Sequence, residues 1–331
     1  WSGIVSDLQP VQLSPLRVAV LAGGDSAERS VSLNSGDAVS AALQQRGHKV
    51  VRIDPAVVNL RTFDWSRIDV AFLALHGTFG EDGGVQEILE SHRVIYTGSD
   101  STASRLAFNK VDAKRRFLQC GIPTPEARLI QLSDSPERLA ALAGEVGYPL
   151  VVKPNSQGSS LGVSIVRSEA ELFDATSHCF EFDYEGLCER AICGTEWTLG
   201  VLDDDPLPLI RIGTDHGFFD FDAKYRDDGT IYDVAPTIDD DLRHQLTQTG
   251  LAACRALGCC GVARVDMLLS EDGPTVLEVN TIPGMTDHSL VPKAAVRLGL
   301  DMGQLCELML HRALASTAVP CHQTKKGSRS R

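Results

Sequence analysis

Short apolar runs alternate with amphipathic stretches in the first part of the chain. Continuous apolar residues over Val18–Ala22 and Val70–Leu75 are typical of strands buried on both faces. Between them, Val31–Gln45 repeats apolar side chains at helical spacing and ends before Gly47. Strands that alternate with helices in this way predict a mostly parallel sheet with helices on both faces. Further strands are predicted at Val50–Ile53 and Val94–Tyr96, and further helices at Val85–Ser91 and about Thr102–Gln119.

The pattern changes after Ile122–Pro125, whose two prolines are typical of a domain boundary. Strands and helices then follow in a less regular order, which favours an α+β architecture for the second part of an otherwise α/β protein. Strands are predicted at Leu150–Val152, in the segment that ends at Val166, at Gly186–Glu189 and at Glu196–Leu202. Helices are predicted in the segment that ends at about Cys179, at about Asp241–Leu257 and from about Val291 onward.

The segment 218–236 is too irregular for one element and is rich in aromatic and acidic residues. A loop of this length in a compact domain is usually functional, and a lid over an active site is one such function. We therefore divide the chain into five parts, in which both end segments are expected to have little order. The parts are a leader (1–15), an N-terminal domain (16–119), a small lobe (120–205), a large lobe with the lid (206–316) and a basic tail (317–331).

The charge balance restricts the possible partners. Lys and Arg number 31 and Asp and Glu 44, which gives a net charge of −13. An acidic protein is not attracted non-specifically to nucleic acid or to an anionic membrane, so we expect neither as a partner. The chain has no apolar run of about 18 residues that could span a bilayer and no secretory signal. Nine cysteines without a C-x-x-C pair are typical of reduced thiols, and we expect a cytoplasmic protein.

A loop of small residues follows Lys153, at the end of a predicted strand. Backbone N–H groups in such a loop (Asn155–Gly162) can approach phosphate oxygens closely, and Lys153 adds a positive charge. Neither the P-loop pattern nor the dinucleotide-binding glycine pattern is present. A phosphate site and a plain glycine-rich turn both remain open on this evidence.

Polar side chains alternate along two predicted strands joined by a short turn. If Glu271–Gly273 is a three-residue loop with Gly273 in the left-handed conformation, Arg264 lies opposite Asn280 and Asp266 opposite Glu278. Because residues two apart on a strand share a face, all four side chains project to one side.

Two carboxylates and an amide oxygen on that side would repel one another without a cation between them. Hard oxygen ligands favour Mg²⁺, commonly shared with nucleotide phosphates. An exposed polar strand face is the alternative, but the opposite face of the predicted hairpin is apolar, which favours the metal site. Its residues are Val265, Met267, Leu277 and Val279.

Short motifs occur in order along most of the chain. They are Gly23–Ser32, His76–Gly83, Tyr96–Ser99, Asn109–Lys110, Val152–Pro154, Gly158–Gly162, Asp222–Tyr225, Leu277–Thr286 and His288–Pro292. These motifs resemble those of the D-alanine–D-alanine ligase family of the ATP-grasp superfamily and follow that family's order from about Arg17 to Leu314. The resemblance implies an N-terminal Rossmann-like domain followed by a two-lobed ATP-grasp fold.

The resemblance implies ATP as co-substrate and two Mg²⁺ (or Mn²⁺) ions, and leaves a monovalent cation open. Asp266, Glu278 and Asn280 would be the metal ligands. Residues Glu189, Arg190, Ala191 and Ile192 would contact adenine, and Glu196 the ribose hydroxyls. The remaining nucleotide contacts implied are Lys110, Lys153, Ser159, Ser160, Phe218, Lys224 and Leu268.

The same resemblance implies that ATP activates one D-alanine as an acyl phosphate, which a second D-alanine then attacks. Glu28 would bind the ammonium of the first D-alanine, with His76 nearby, and Ser289 with Leu290 the carboxylate of the second. Arg264 and the N–H of Gly284 would stabilise the oxyanion.

A hydrogen-bonded set of Glu28, Ser159 and Tyr225 would join the N-terminal domain, the loop and the lid. Family members that use D-lactate have a histidine at the position of Tyr225, so Tyr225 favours the dipeptide. Phe219 and Phe221 stand where tyrosines are common, and Asp222 replaces a glutamate.

These implications predict a homodimeric, cytoplasmic enzyme that supplies a dipeptide for peptidoglycan. A ligase that takes D-serine second is an alternative, and so is a nucleotide-binding regulator without catalysis. The retained lysines, metal ligands and Arg264 argue against the regulator, and Glu28 with Tyr225 against a carboxylase-type ATP-grasp protein.

Overall fold

The computed structural model describes residues 8–214 and 230–316. Within these ranges no helix is long and apolar enough to cross a membrane. The helices are α1 (Arg29–Gln45), α2 (Gly84–Ser91), α3 (Ser101–Phe108), α4 (Lys110–Gln119), α5 (Pro136–Val146), α6 (Glu169–Phe180), α7 (Asp240–Leu257), α8 (Leu290–Arg297) and α9 (Met302–Ser316). The strands are β1 (Arg17–Leu21), β2 (Lys49–Ile53), β3 (Val70–Leu73), β4 (Ala127–Gln131), β5 (Leu150–Pro154), β6 (Ser164–Val166), β7 (Glu185–Arg190), β8 (Thr195–Leu202), β9 (Asp205–Pro206), β10 (Ile210–Thr214), β11 (Thr230–Val234), β12 (Val262–Ser270) and β13 (Gly273–Asn280).

A parallel sheet in the order β2-β1-β3 forms the N-terminal domain, as the alternating pattern predicts. The predicted strand at Val94–Tyr96 is reduced to a single parallel bridge between Ala71 and Tyr96. Side chains alternate across β1, so that Val18 and Val20 face one core and Ala19 and Leu21 face another. The sheet is therefore covered on both faces.

The C-terminal helix α9 packs on this N-terminal sheet and on α1, although we assigned residues up to 316 to the large lobe. Glu307 of α9 is buried and binds Arg46, whose Nε donates at 2.7 Å, and His48, whose Nε2 lies 3.1 Å away. The described part of the leader is not loose either, since Leu8 is buried in the same core. Sequence order therefore does not give the spatial boundary of the domain.

Two antiparallel sheets make up the rest of the chain. The small sheet, in the order β4-β7-β5-β6, is packed by α5 and α6, and the larger sheet runs β11-β10-β8-β12-β13 with β9 beside β8. Because β8 pairs with β12 over most of its length, the change between sheets falls between Arg190 and Thr195, not at the predicted residue 205. Strand β11 occupies part of the segment predicted as a lid loop.

The predicted helix at Thr102–Gln119 is broken into α3 and α4 at Asn109. The Asn109 side chain accepts a hydrogen bond from the N–H of Asp112 at 2.9 Å and so caps α4. Both helices pack near α7 on the larger sheet, and α3 also contacts α2 of the N-terminal domain, to which we assigned both helices. The break places Lys110 at the start of α4, where it turns toward the cleft between the lobes.

We expect Glu307→Ala to lower the free energy of unfolding by about 3 kcal/mol, because it leaves buried His48 and Arg46 without their carboxylate. Asp37→Ala, which breaks the exposed ion pair with Arg52, is the matched control and should cost less than about 1 kcal/mol. Urea unfolding of both variants measures the difference. Equal losses would show that α9 is not fixed to the N-terminal domain through Glu307.

Candidate active site

The hairpin of β12 and β13 brings the four predicted polar residues together. Arg264 pairs with Asn280 and Asp266 with Glu278, as predicted. The turn itself differs, because Ser270 pairs with Gly273 and only two residues lie between them. Gly273 has the expected positive φ of 102°.

A bulge after Asp266 explains how the predicted register survives the shorter turn. Asp266 pairs with Glu278 but Met267 with Val276, so Leu277 is an extra residue on β13. Leu277 consequently lines the cleft beside Glu278, whereas we predicted it on the opposite, apolar face. Val265, Met267 and Val279 do lie in the apolar core beneath the sheet.

Arg264 and Asp266 form an ion pair on this face. Nε and Nη2 of Arg264 donate to the carboxylate of Asp266 at 2.8–3.2 Å, and Thr198 Oγ1 donates to Oδ1 at 2.7 Å. Burial disfavours the charge of Arg264, but Asp266, Glu278 and Glu81 outweigh it and raise its pKa. Arg264 therefore stays cationic in the cleft.

Lys110 reaches the other carboxylate and the glycine-rich loop at once. Its Nζ donates to the carbonyl of Gln157 at 2.6 Å and lies 3.5 Å from Glu278 Oε2. The backbone around Lys110 is held by Asn155, whose carbonyl accepts from Lys110 N at 3.1 Å and whose Oδ1 accepts from Val111 N at 3.0 Å. The start of α4 and the loop therefore form one unit.

A buried cluster of one acid and two lysines lies at the back of the cleft. Glu189 is 3% exposed and pairs with Lys153 at 2.9 Å and with Lys114 at 2.6 Å. Lys114 also donates to Thr124 Oγ1 and to the carbonyl of Pro125. Burial lowers the pKa of Lys114 to about 8 against the pull of Glu189, while the two lysines hold the pKa of Glu189 below its usual value despite its burial.

The cleft between the two lobes contains most of the predicted nucleotide contacts. Ala191 and Ser159 are not among its lining residues, and the predicted contacts Phe218 and Lys224 lie outside the described residues. The lining includes Lys110, Lys153, Ser160, Glu189, Arg190, Ile192, Glu196, Asp266, Leu268 and Glu278.

The glycine-rich loop contacts the N-terminal domain at Glu28. The hydroxyl of Ser159 donates to Glu28 Oε1, which is the contact that the resemblance implies. Ser159 and Ser160 have positive φ values of 49° and 57°, a strained conformation for residues with a side chain. A Cβ on Gly158 would lie 2.6 Å from Glu28 Oε2, so the loop approaches Glu28 as closely as glycine allows. Tyr225, the third member of the set, is outside the described residues.

The substrate candidates Ser289, Leu290 and Gly284 lie at the start of α8. Ser289 precedes the helix, and its Oγ accepts from the N–H of Thr286 at 3.0 Å. A Cβ on Gly284 would lie 2.7 Å from this oxygen, so a side chain at position 284 would displace the Ser289 hydroxyl. His76 is buried close by, with Nε2 3.1 Å from Ser35 Oγ, and burial lowers its pKa to about 4.

Glu81, in the motif that begins at His76, was not among the predicted site residues. It is buried, its Oε2 accepts from the N–H of Gly77 at 2.7 Å, and burial together with nearby Glu28 raises its pKa to about 8. Lys114, Thr198 and Ser35 were also missed. Lys114 lies one helical turn after Lys110, which is a signal that sequence spacing could have used.

The donor set suits Mg²⁺ in its chemistry. Within residues 8–214 and 230–316, no three acidic, histidine or cysteine side chains are close enough to hold a metal unaided. Asp266, Glu278 and Asn280 are hard oxygen donors of the kind that binds Mg²⁺ together with phosphate oxygens. Carboxylates, lysines and a glycine-rich loop around one cleft can hold a nucleotide and transfer its terminal phosphoryl group.

Family profiles match both parts of the chain. The profile described as D-ala D-ala ligase C-terminus matches residues 117–311, and the profile described as D-ala D-ala ligase N-terminus matches residues 59–99. A D-alanine–D-alanine ligase of Marinobacter nauticus is 45% identical, covering 94% of this chain and 97% of its own. One of Syntrophotalea carbinolica is 42% identical, covering 92% and 98%.

Solved structures show the same fold. The D-alanine–D-alanine ligase of Bacillus anthracis superposes with a TM-score of 0.82 at 37% identity over 92% of this chain and 99% of its own. The VanG D-Ala:D-Ser ligase of Enterococcus faecalis gives 0.78 at 27% identity over 91% and 100%. Profiles, relatives and fold agree with the geometry of the cleft, and the chain belongs to the D-alanine–D-alanine ligase family.

Proposed function

We propose that the protein joins two D-alanine molecules into a dipeptide, driven by conversion of ATP to ADP and phosphate. The observation that carries the proposal is the hydrogen bond between Ser159 and Glu28. It places a carboxylate suited to an amino acid's ammonium directly against the loop suited to the phosphates of ATP. An amino acid held by Glu28 would therefore have its own carboxylate close to the terminal phosphoryl group.

In the first step, a carboxylate oxygen of the first D-alanine attacks the γ-phosphorus and ADP leaves. Lys110, Lys153 and Lys224 balance the phosphate charge, and Asp266, Glu278 and Asn280 would hold two Mg²⁺ (or Mn²⁺) ions, which add positive charge when bound. Positioning matters most in phosphoryl transfer, because the protein takes little covalent part in it.

In the second step, the amine of the second D-alanine attacks the acyl carbon. A tetrahedral oxyanion forms, collapses and releases phosphate. Arg264 and the N–H of Gly284 are the donors proposed for this oxyanion, because Arg264 is cationic and lies on β12 two residues from Asp266, which lines the cleft. Ser289 and Leu290 would hold the carboxylate of the second D-alanine.

The nucleotide would lie between the sheets, with adenine beside Glu189, Arg190, Ala191 and Ile192 and the ribose at Glu196. Ser159, Ser160, Phe218 and Leu268 complete the proposed contacts. We further propose that the enzyme works in the cytoplasm as a homodimer. Its dipeptide product would be used in peptidoglycan synthesis, and a monovalent cation would act as an activator.

D-Serine is the second candidate for the second substrate. The structural likeness to the VanG D-Ala:D-Ser ligase supports this alternative. The test of function is phosphate release from ATP and Mg²⁺ with and without D-alanine, with product identified by mass spectrometry. We expect stimulation and D-alanyl-D-alanine. Absence of stimulation would contradict ligase activity, and a preference for D-serine would assign the other product.

We expect Glu278→Gln to lower kcat by roughly 100-fold or more, because it removes a charge that the metal and phosphates need. Glu271→Gln, in the exposed turn of the same hairpin, is the matched control and should keep full activity. Steady-state kinetics and melting curves of both variants give the comparison. An unchanged kcat in Glu278→Gln would remove this residue from the proposed ligands.

We expect Lys114→Met to raise KM for ATP by about tenfold, or about 1.4 kcal/mol, with a smaller effect on kcat. The reason is that Glu189 would keep only Lys153 as a buried partner and would shift in the adenine site. Arg115→Met, on the exposed side of the same helix, is the control. Equal KM values in the two variants would show that Lys114 does not organise the nucleotide site.

We expect Tyr225→His to admit D-lactate as second substrate at neutral pH, because an imidazolium would disfavour the ammonium of D-alanine. Mass spectrometry of reactions with D-alanine, D-lactate and ATP detects the ester. A variant that folds and makes dipeptide but no ester would refute the role given to Tyr225.

A further inference from the structure

Ser35 lies in the middle of α1, fully buried, and its hydroxyl contacts two distant segments. The N–H of Met285 donates to Ser35 Oγ at 3.2 Å. Ser35 Oγ also lies 3.1 Å from Nε2 of His76. Because the oxygen already accepts from Met285, its single proton is available for the imidazole. One hydroxyl therefore joins α1, His76 and the segment that follows Gly284.

The hydroxyl of Ser35 sets the tautomer of the neutral His76 ring, because it donates to Nε2. Nδ1 then carries the proton and Nε2 accepts from Ser35, a single consistent tautomer. Burial lowers the pKa of His76 to about 4, which agrees with a neutral ring.

The main chain of His76 continues the connection toward Glu28. Its carbonyl accepts from Ser26 Oγ at 2.7 Å, and Ser26 Oγ accepts from the N–H of Glu28 at 3.3 Å. A continuous path therefore runs from the turn that carries Glu28, through His76 and Ser35, to the backbone beside Gly284. Its two ends are the two amino-acid subsites of the proposed function.

We propose that Ser35 is a positioning residue, which acts through His76 and Met285 N–H to set the Ile282–Met285 segment relative to Glu28. His76 is the link in this path between Ser35 and the turn that carries Glu28. The inference rests on the proposed function. Displacement of a positioned group by a fraction of an ångström is enough to slow a reaction between two bound substrates.

Kinetics of Ser35→Ala test the proposal. We expect kcat to fall by about tenfold and KM for the second D-alanine to rise, with KM for ATP close to the wild-type value. Ser35→Cys, which keeps the size and a weak donor, should recover part of the loss.

The matched control is Ser32→Ala. Ser32 is equally buried on α1 and makes two hydrogen bonds, to Gly23 N–H and to the Ala74 carbonyl, but none to His76 or Met285. We expect it to lose similar stability while keeping kcat. Equal kinetics in the two alanine variants, or a proportional rise in KM for ATP in Ser35→Ala, would reduce Ser35 to a structural role and overturn the proposal.

A spectroscopic readout separates this inference from the proposed function. In ¹⁵N-histidine NMR of the wild-type protein, assigned with His76→Gln, we expect His76 to be neutral and protonated on Nδ1. The Nε2 signal should shift in Ser35→Ala or Ser35→Cys. An Nε2-protonated ring would overturn the inference even in an active ligase. A wild-type protein without D-alanine-dependent phosphate release would refute the proposed function, whatever the NMR result.

Discussion

Each charged side chain that is buried near the cleft must be paired with a side chain of opposite charge, and this requirement determines how the site is arranged. Removal of an ion from water costs several kcal/mol unless a partner and hydrogen bonds compensate for it. Glu189 lies between Lys114 and Lys153, and Arg264 binds Asp266. The cationic side chains needed for a polyanionic substrate are thus paired with the protein's own carboxylates. This resolves how a chain of net charge −13 can bind a nucleotide, because the binding groups are local and not part of the overall field.

The same requirement links the three sheets. Lys114 and Lys110 sit on α4, their carboxylate partners on β7 and β13, and the loop after β5 lies between them. A shift of the small lobe would separate the buried pair Lys114–Glu189, and a shift of the large lobe would separate Lys110 from Glu278, so both pairs favour one arrangement of the lobes and α4. Glu28 extends this arrangement to the N-terminal domain through Ser159.

Periodicity predicted the buried strands and the polar face of the hairpin well, because each depends on neighbours close in sequence. The face of Asp266 and Glu278 was predicted correctly, although the turn is one residue shorter than expected and the bulge restores the register. The prediction that Leu277 lies on the apolar face was wrong for the same reason, because a bulge cannot be recognised in an alternating pattern. Strand β4 and α5 were missed, although Ser135 and Pro136 are a recognisable helix start.

The remaining errors concern contacts between residues far apart in the chain. The return of α9 to the N-terminal sheet, the partners of Lys114 and the role of Ser35 all depend on tertiary packing. Spacing could point to Lys114 as a second lysine on the helix, but not to Glu189 as its partner. The family resemblance implied both the roles of Glu28 and Ser159 and the hydrogen bond between them, and the structure contains that hydrogen bond.

Isotope transfer tests the central claim that the cleft joins an amino-acid carboxylate to the γ-phosphate. D-Alanine labelled with ¹⁸O in its carboxylate is incubated with the protein, ATP and Mg²⁺, and the released phosphate is analysed by mass spectrometry. An acyl-phosphate intermediate transfers one carboxylate oxygen to each phosphate released, and we expect this label. Phosphate that carries no ¹⁸O, released together with dipeptide, would contradict the account.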